Sequence, residues 1–415
     1  MKKIFLILLI ILFLIFCFKF SPNTKSIDHL QKWNEDISFL QKKLLKIHPN
    51  PFLKISKNVF EKEIHNFKKK LPILNDKEII INLMQIIAKI KDAHTTVFFF
   101  PEQSFCMPFR FYWFDDGIFI IESISKYQKF IGARLLAIED FPIEKIIQKT
   151  TPLISVENEF GIKNLIPKYI ILADILDALK ITKSKNEITI KIQKDKKVCS
   201  LKIPRINNGN EKLISFYDKN KMIPPISYRH LDKNFWYDLS NKNHTLFIQY
   251  NKCSNTSSYN CKKFSKNISK VLSRETIQTI ILDLRFNTGG NSKLFTHYLF
   301  PIIRKYVKKQ NIKTFLLIGR KTFSSAMWVI RDILTLDKVI IIGEPTSNQP
   351  NHFGEMKKYQ LPHSKLIFTC SSKYFDIFSN DANTAFYPQI NIPINSLDYF
   401  SGQDKILNHV LNKNF

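Results

Sequence analysis

Glycine is scarce in this chain, 10 of 415 residues, so a glycine pair is a signal and not background. The one adjacent pair, Gly289-Gly290, is followed by no Gly-Lys-Ser/Thr, which excludes a phosphate-cradling P-loop. Cysteine is sparse too, with six residues, no Cys-x-x-Cys and no Cys/His spacing. Nothing therefore points to a metal site, and no metal or cofactor is expected. Acidic residues are outnumbered 35 to 63 by basic ones, a net charge of +28. No zinc-finger or RNP-type motif accompanies that excess, so no nucleic-acid partner is expected. The lysines are scattered, densest at Lys68-Lys69-Lys70 and from Lys194 to Lys197. They read as solvated faces with some pull toward anionic membranes. Internal repeats and low-complexity segments are absent. What remains is 44% hydrophobic and 13% aromatic, too apolar for a largely disordered chain, and 415 residues exceed one ordinary core.

The amino-terminus carries the one long apolar run. Met1-Lys2-Lys3 precedes Ile4 to Phe18, which contains no acid. This is a charged n-region followed by an h-region, so residues 1–22 are expected to be a signal peptide or a membrane anchor. Phe16, Phe18 and Phe20 suit cleavage poorly, and Phe16 before Cys17 makes a poor lipobox. An uncleaved segment from Ile4 to Phe20 is just long enough to span. With Lys2 and Lys3 inside, the rest would face out, secreted or held at the outer face of the cell membrane. In that setting Cys253 and Cys261, which flank the polar stretch 254–260, either pair or stay free and buried.

The remainder divides by pattern. Residues 30–103 read as helical: Ile37, Leu40, Leu44 and Ile47 share one face, as do Phe60, Ile64, Phe67 and Leu71. A third helix runs from Asp76 to Asp92 behind an Asn75 cap. Residues 104–205 read as mixed α/β, with strands at 119–121, 134–138 and 187–193 and a helix over 167–179. Residues 215–415 alternate strands (246–249, 279–284, 315–318, 339–342, 366–370) with helices (264–272, 293–307, 325–336). That alternation predicts an α/β unit with crossover connections.

Four constellations carry chemistry. Phe315 to Ile318 leads into Lys321-Thr322-Phe323-Ser324-Ser325-Ala326 and then a helical pattern. The reading is strand, tight turn, helix, with Ser324 at the helix start as either an N-cap or a nucleophile. Asp283 to Asn291 follows another apolar strand, and its glycines permit close backbone approach to a developing oxyanion. The N–H of Ser324 itself, or that of Ser325, offers a second donor at the helix start. Gly343 to Asn351 turns back to the same sheet edge, where Thr346 and Asn351 would border a substrate groove. His94, in Asp92-Ala93-His94-Thr95, sits on a helix-to-strand loop and is a candidate for the base that a serine hydroxyl needs.

In this order the segments Asp283-Leu284-Arg285-x-Asn287-x-Gly289-Gly290, Thr322-x-Ser324-Ser325-Ala326 and Gly343-Glu344-Pro345-Thr346-Ser347 resemble the S41 serine peptidases. That family holds carboxy-terminal processing proteases, tricorn-type core proteases and interphotoreceptor retinoid-binding proteins. The match covers about residues 244–395. His48-Pro49-Asn50-Pro51 and Asp92-Ala93-His94-Thr95 look like the amino-terminal part of the tricorn-like branch. The resemblance implies a ClpP/crotonase-like α/β core, a helical amino-terminal region and a reduced PDZ-like domain at 104–205. It makes Ser324 the nucleophile, His94 the base, and Gly289, Gly290 and Ser325 the oxyanion hole. Gln349 stands where the processing-protease branch has its lysine, so a serine–lysine dyad is not expected. Ala382 and Gln389 stand at the positions of the branch's late acids, which leaves Asp381, then Glu355, as candidates to orient His94. The expected activity is hydrolysis of protein or peptide substrates through an acyl-enzyme. The rival is an inactive scaffold of the same fold that binds a ligand or peptide.

Overall fold

The computed structural model describes residues 27–98, 104–207, 211–240, 244–257, 259–379 and 382–412. The expected signal or anchor at 1–22 and Asp381 lie outside them. Among the described residues no helix is long and apolar enough to cross a membrane.

The described residues begin with three helices, Ile27–Ile47, Lys57–Lys70 and Asp76–Ala88. Their apolar stripes are buried at Ile37, Leu40 and Leu44 and at Phe60, Ile64 and Phe67. Ser56 caps the second helix, and Asn75 with Glu78 forms a reciprocal capping box on the third. The third helix ends at Ala88, before the acidic turn, so Asp92 is free to organise a loop. The strand Thr96–Phe98 follows and pairs antiparallel with Ile367–Phe375, with Thr96 opposite Thr369. A third strand, His352–Gln360, completes this small sheet. It ties the amino-terminal region to the carboxy-terminal half.

The middle of the chain builds an antiparallel sheet from Phe109–Phe114, Gly117–Ser123, Arg134–Ile138, Glu187–Lys194, Lys197–Pro204 and two short pieces. The helix expected over 167–179 is instead two, Glu159–Tyr169 and Ala173–Ala178. Pro167 lies in the last turn of the first, where it lacks an N–H to extend the ladder.

The second half holds a six-stranded sheet in the order Phe235–Ser240, Thr245–Tyr250, Thr279–Asp283, Lys313–Ile318, Val339–Gly343, Ile390–Asn391. The first pair is antiparallel and the others are parallel. Both faces are covered, which is why Thr245–Tyr250 is buried at every position. One face, with Ile248, Leu282 and Leu316, packs on the helices Cys261–Arg274, Phe300–Gln310 and Ala326–Ile333. The other, with Phe247, Ile281 and Leu317, packs on Ile406, Leu407 and Val410 of the helix Lys405–Asn412. The strand expected at 366–370 belongs to the small sheet rather than this one. Its periodicity marks a strand but does not say which neighbour it takes. Cys253 and Cys261 are both buried free thiols. Cys253 reaches Asn287, and Cys261 the Leu294 carbonyl.

Candidate active site

The parallel strands aim their carboxyl ends at one edge, where α/β sheets place their ligands. Three loops leave from there, after Asp283, Ile318 and Gly343. Buried hydrogen bonds shape each of them. Arg285 is clamped between Asp283 and Asp404, the latter at the start of the last helix. Thr322 donates to the Leu284 carbonyl and accepts from the Gly319 N–H, tying two loops together. Asn287 donates to the Tyr250 carbonyl and accepts the Gly289 N–H at 2.8 Å. The Asp-Leu-Arg-x-Asn motif is thus architectural: it holds the glycines against the serine turn. A Cβ on Gly289 would stand 2.7 Å from that of Ser324.

Ser324 has φ of +57°, a left-handed conformation that L-residues with a Cβ seldom adopt. Its N–H is held by Asn348 Oδ1 at 2.6 Å. The helix after it starts at Ala326 with Ser325 as cap residue, and neither serine caps it through its side chain. Ser324 Oγ instead lies 3.0 Å from His94 Nε2. A non-glycine residue held at positive φ is strained by about 1–3 kcal/mol, and such strain collects at functional sites.

His94 is 7% exposed. Its ring stacks on Phe323, with centroids 4.6 Å apart, and on His352 at 5.7 Å. Asp92 shapes the loop that carries it. One carboxylate oxygen accepts the His94 N–H at 2.9 Å. The other accepts from His48 Nε2, Thr95 and Ser371 at 3.1, 2.5 and 2.6 Å. Thr369 Oγ1 donates to the His94 carbonyl at 2.9 Å, so the small sheet fixes the loop from the other side. Asp92 is lowered in pKa: burial pushes it up, but the hydrogen bonds from His48 and its partners outweigh that. Burial lowers the pKa of His94, opposed by the Asp92 charge and the Phe353 main chain. The ring is therefore neutral at neutral pH, as a general base must be.

His94 Nδ1 has no hydrogen-bond partner, and Asp92 Oδ1 is 3.9 Å away. Glu157, which no sequence pattern singled out, approaches the same place. One oxygen from Glu157, one from Asp92 and a ring nitrogen of His94 lie within 4.8 Å of one another. Asn348 Nδ2 and the Gln349 N–H hold Glu157 Oε2 at 2.6 and 2.7 Å. Burial pushes the Glu157 carboxyl up to about 8, against the pull of those donors. That trio would also admit a divalent cation, at the expense of the base.

Around this pair runs a cleft of about 1010 Å³. Gly290 and Ser325 line it, and their N–H groups donate to nothing among the described residues. The structure takes Gly289 out of the expected donor set, because Asn287 has already engaged its N–H. Thr346 and Asn351 are likewise not in the groove. Thr346 is fully buried and bridges the Asn348 carbonyl and the Phe386 N–H. Asn351 Oδ1 accepts from Ile377 and Phe378. Both hold turns together. Glu355 lies at the cleft, 3.8 Å from Lys373, and has no contact with His94.

Mature CPAF bound to lactacystin superposes with a TM-score of 0.65 at 12% identity, over 92% of this chain and 97% of that one. Mature CPAF alone gives 0.62 at 13%, over 92% and 96%. The fold is shared with mature CPAF. No family model and no curated protein matches the sequence. The shared fold is mixed α/β with an amino-terminal helical region and several sheets. Within it, sequence reasoning missed Glu157, Asn348 and His352. Glu157 only precedes the Asn158 cap of a helix, so local pattern marks a helix start and nothing more.

Proposed function

We propose that the chain is an exported serine endopeptidase, with a ClpP/crotonase-like core and a reduced PDZ-like domain at 104–205. The carrying observation is the 3.0 Å contact between Ser324 Oγ and His94 Nε2, made by residues 230 positions apart. In this reading Nε2 takes the Ser324 proton as Oγ attacks the peptide carbonyl. The tetrahedral oxyanion is met by the N–H groups of Gly290 and Ser325, each such donor contributing about 3–4 kcal/mol to transition-state stabilisation. The imidazolium then gives its proton to the leaving amine, and the C–N bond breaks. Water, deprotonated by the same nitrogen, attacks the acyl-enzyme and frees Ser324. Asp92 and Glu157 face the positive ring; Glu157, not Asp381, is the acid this reading assigns to its orientation. The apolar amino-terminal run supports export and a tether to the outer face of the cell membrane.

The test is Ser324→Ala. Peptide hydrolysis should drop by on the order of 10³–10⁶-fold while the melting curve stays in place. A fluorophosphonate should label the wild type and not the variant. Unchanged turnover would overturn the mechanism, and a folded wild type that neither turns over nor labels would make the chain a binding scaffold.

A further inference from the structure

A second cleft, of about 400 Å³, lies behind the nucleophile turn, between the middle sheet and the core. It shares no lining residue with the catalytic cleft. The segment 319–325 separates them: Gly319, Arg320 and Lys321 face one side, Phe323, Ser324 and Ser325 the other. The volume falls within the range of small-molecule sites, about 300–1,000 Å³. Its walls are largely apolar and aromatic, among them Phe111, Phe114, Tyr228 and Phe286.

The charges in it do not balance. Arg285 is neutralised by Asp283 and Asp404, Arg320 by Glu344 and Arg110 by Glu122. Lys163, Lys168 and Lys321 also line the cleft, and among the described residues none forms an ion pair; the acid that Lys321 feels, Glu122, is already bridged to Arg110. Lys321 is the deep one, its ammonium 5.3 Å from the Phe286 ring centre. Burial, then the neighbouring Lys168 and Arg110, pulls its pKa down to about 8. A desolvated ammonium whose nearest acid is engaged by another cation is costly, and an anion seated there would relieve it.

We propose that this cleft binds a small amphiphile whose apolar body lies on the aromatic wall and whose acidic headgroup, carboxylate or phosphate monoester, meets Lys321. The site is independent of the peptidase reading, because neither Ser324 nor His94 touches it. Titration calorimetry on the whole chain tests it, with decanoate, decyl phosphate and decanol as probes, each below its aggregation threshold. Decanoate or decyl phosphate should bind, whichever is tighter identifying the headgroup, and decanol about tenfold or more weaker. Near pH 8 the anions should take up protons as they raise the Lys321 pKa, while decanol should not. Lys321→Met should bring the anions down to the affinity of decanol. If that variant does not fold, Lys168→Gln, at the mouth, should weaken the anions alone. Equal binding of anion and alcohol, no proton uptake, or unchanged anion affinity in a folded Lys321→Met protein would each overturn the proposal. A peptide with a free carboxyl end that displaces decanoate and binds more tightly would overturn the small-ligand assignment.

Discussion

At the scale of single residues, the site turns on two titrating groups with opposite shifts. His94 is lowered by burial, so its loss of base function begins below its ordinary value of 6.5. Glu157 is raised to about 8 by burial, so near neutral pH it keeps its proton, which makes it a weaker acceptor for His94 Nδ1 and adds an O–H that competes for the same nitrogen. The base form of His94 needs Nδ1 protonated and donating; an ionised Glu157 favours that form and a protonated one does not. kcat/KM should therefore rise twice with pH, once below 6.5 as His94 becomes neutral and again near pH 8 as Glu157 ionises. Glu157→Gln should keep the first rise and abolish the second. A variant profile that still rises near pH 8 would remove Glu157 from the mechanism. Local strand–turn–helix and helix–loop–strand patterns made Ser324 and His94 candidates in the sequence, and the order of the motifs and their resemblance to a known family paired them. Glu157 was not legible, because what places it near His94 is a hydrogen bond from Asn348, a residue 191 positions away.

At the scale of elements, the glycine loop shows how far local reading goes. Scarcity made Gly289-Gly290 conspicuous, and the loop does sit against Ser324. Which N–H stays free could not be read locally, since it depends on Asn287 folding back on Gly289. Gly290 carries the stricter constraint. Its φ is +131°, and a Cβ there would stand 2.3 Å from the Cys253 carbonyl oxygen, a backbone atom with little freedom to yield. Gly290→Ala should therefore destabilise by about 2 kcal/mol or more. Asn75→Ala, which only removes a helix cap, should cost about 1 kcal/mol. Urea unfolding of the two variants checks the order; a Gly290→Ala protein as stable as the cap variant would mean the loop relaxes freely. The strand at Ile367–Phe375 teaches the complementary lesson. Its apolar pattern predicted a strand, but its partner on one side is Thr96–Phe98, from the far end of the chain.

At the scale of the whole molecule, the amino-terminal region and the core are each incomplete alone. The core carries Ser324 and the free N–H groups of Gly290 and Ser325, and the helical region brings His94 to them on a loop stapled to the small sheet. Fold class was legible because alternation of strands and helices is a bulk pattern; the meeting of residues 94 and 324 is tertiary. Charge, too, acts at this scale. The net charge is +28, and the cleft around Ser324 keeps a small excess locally: Lys373 faces Glu355 and Arg331 pairs with Asp332, which leaves Lys293 without an ion pair among the described residues. A field of one sign over a cleft raises the local concentration of oppositely charged substrate, and salt screens it with a Debye length of about 10 Å at 0.1 M. Peptides with Asp or Glu flanking the scissile bond should be preferred, and their kcat/KM should fall several-fold as salt rises from about 0.05 to 0.5 M, mainly through KM. A neutral peptide of otherwise equal sequence should change little, and so should fluorophosphonate labelling of Ser324, which reports the pair without the field. Equal salt dependence of acidic and neutral peptides would show that the positive charge serves the outer surface and not the choice of substrate.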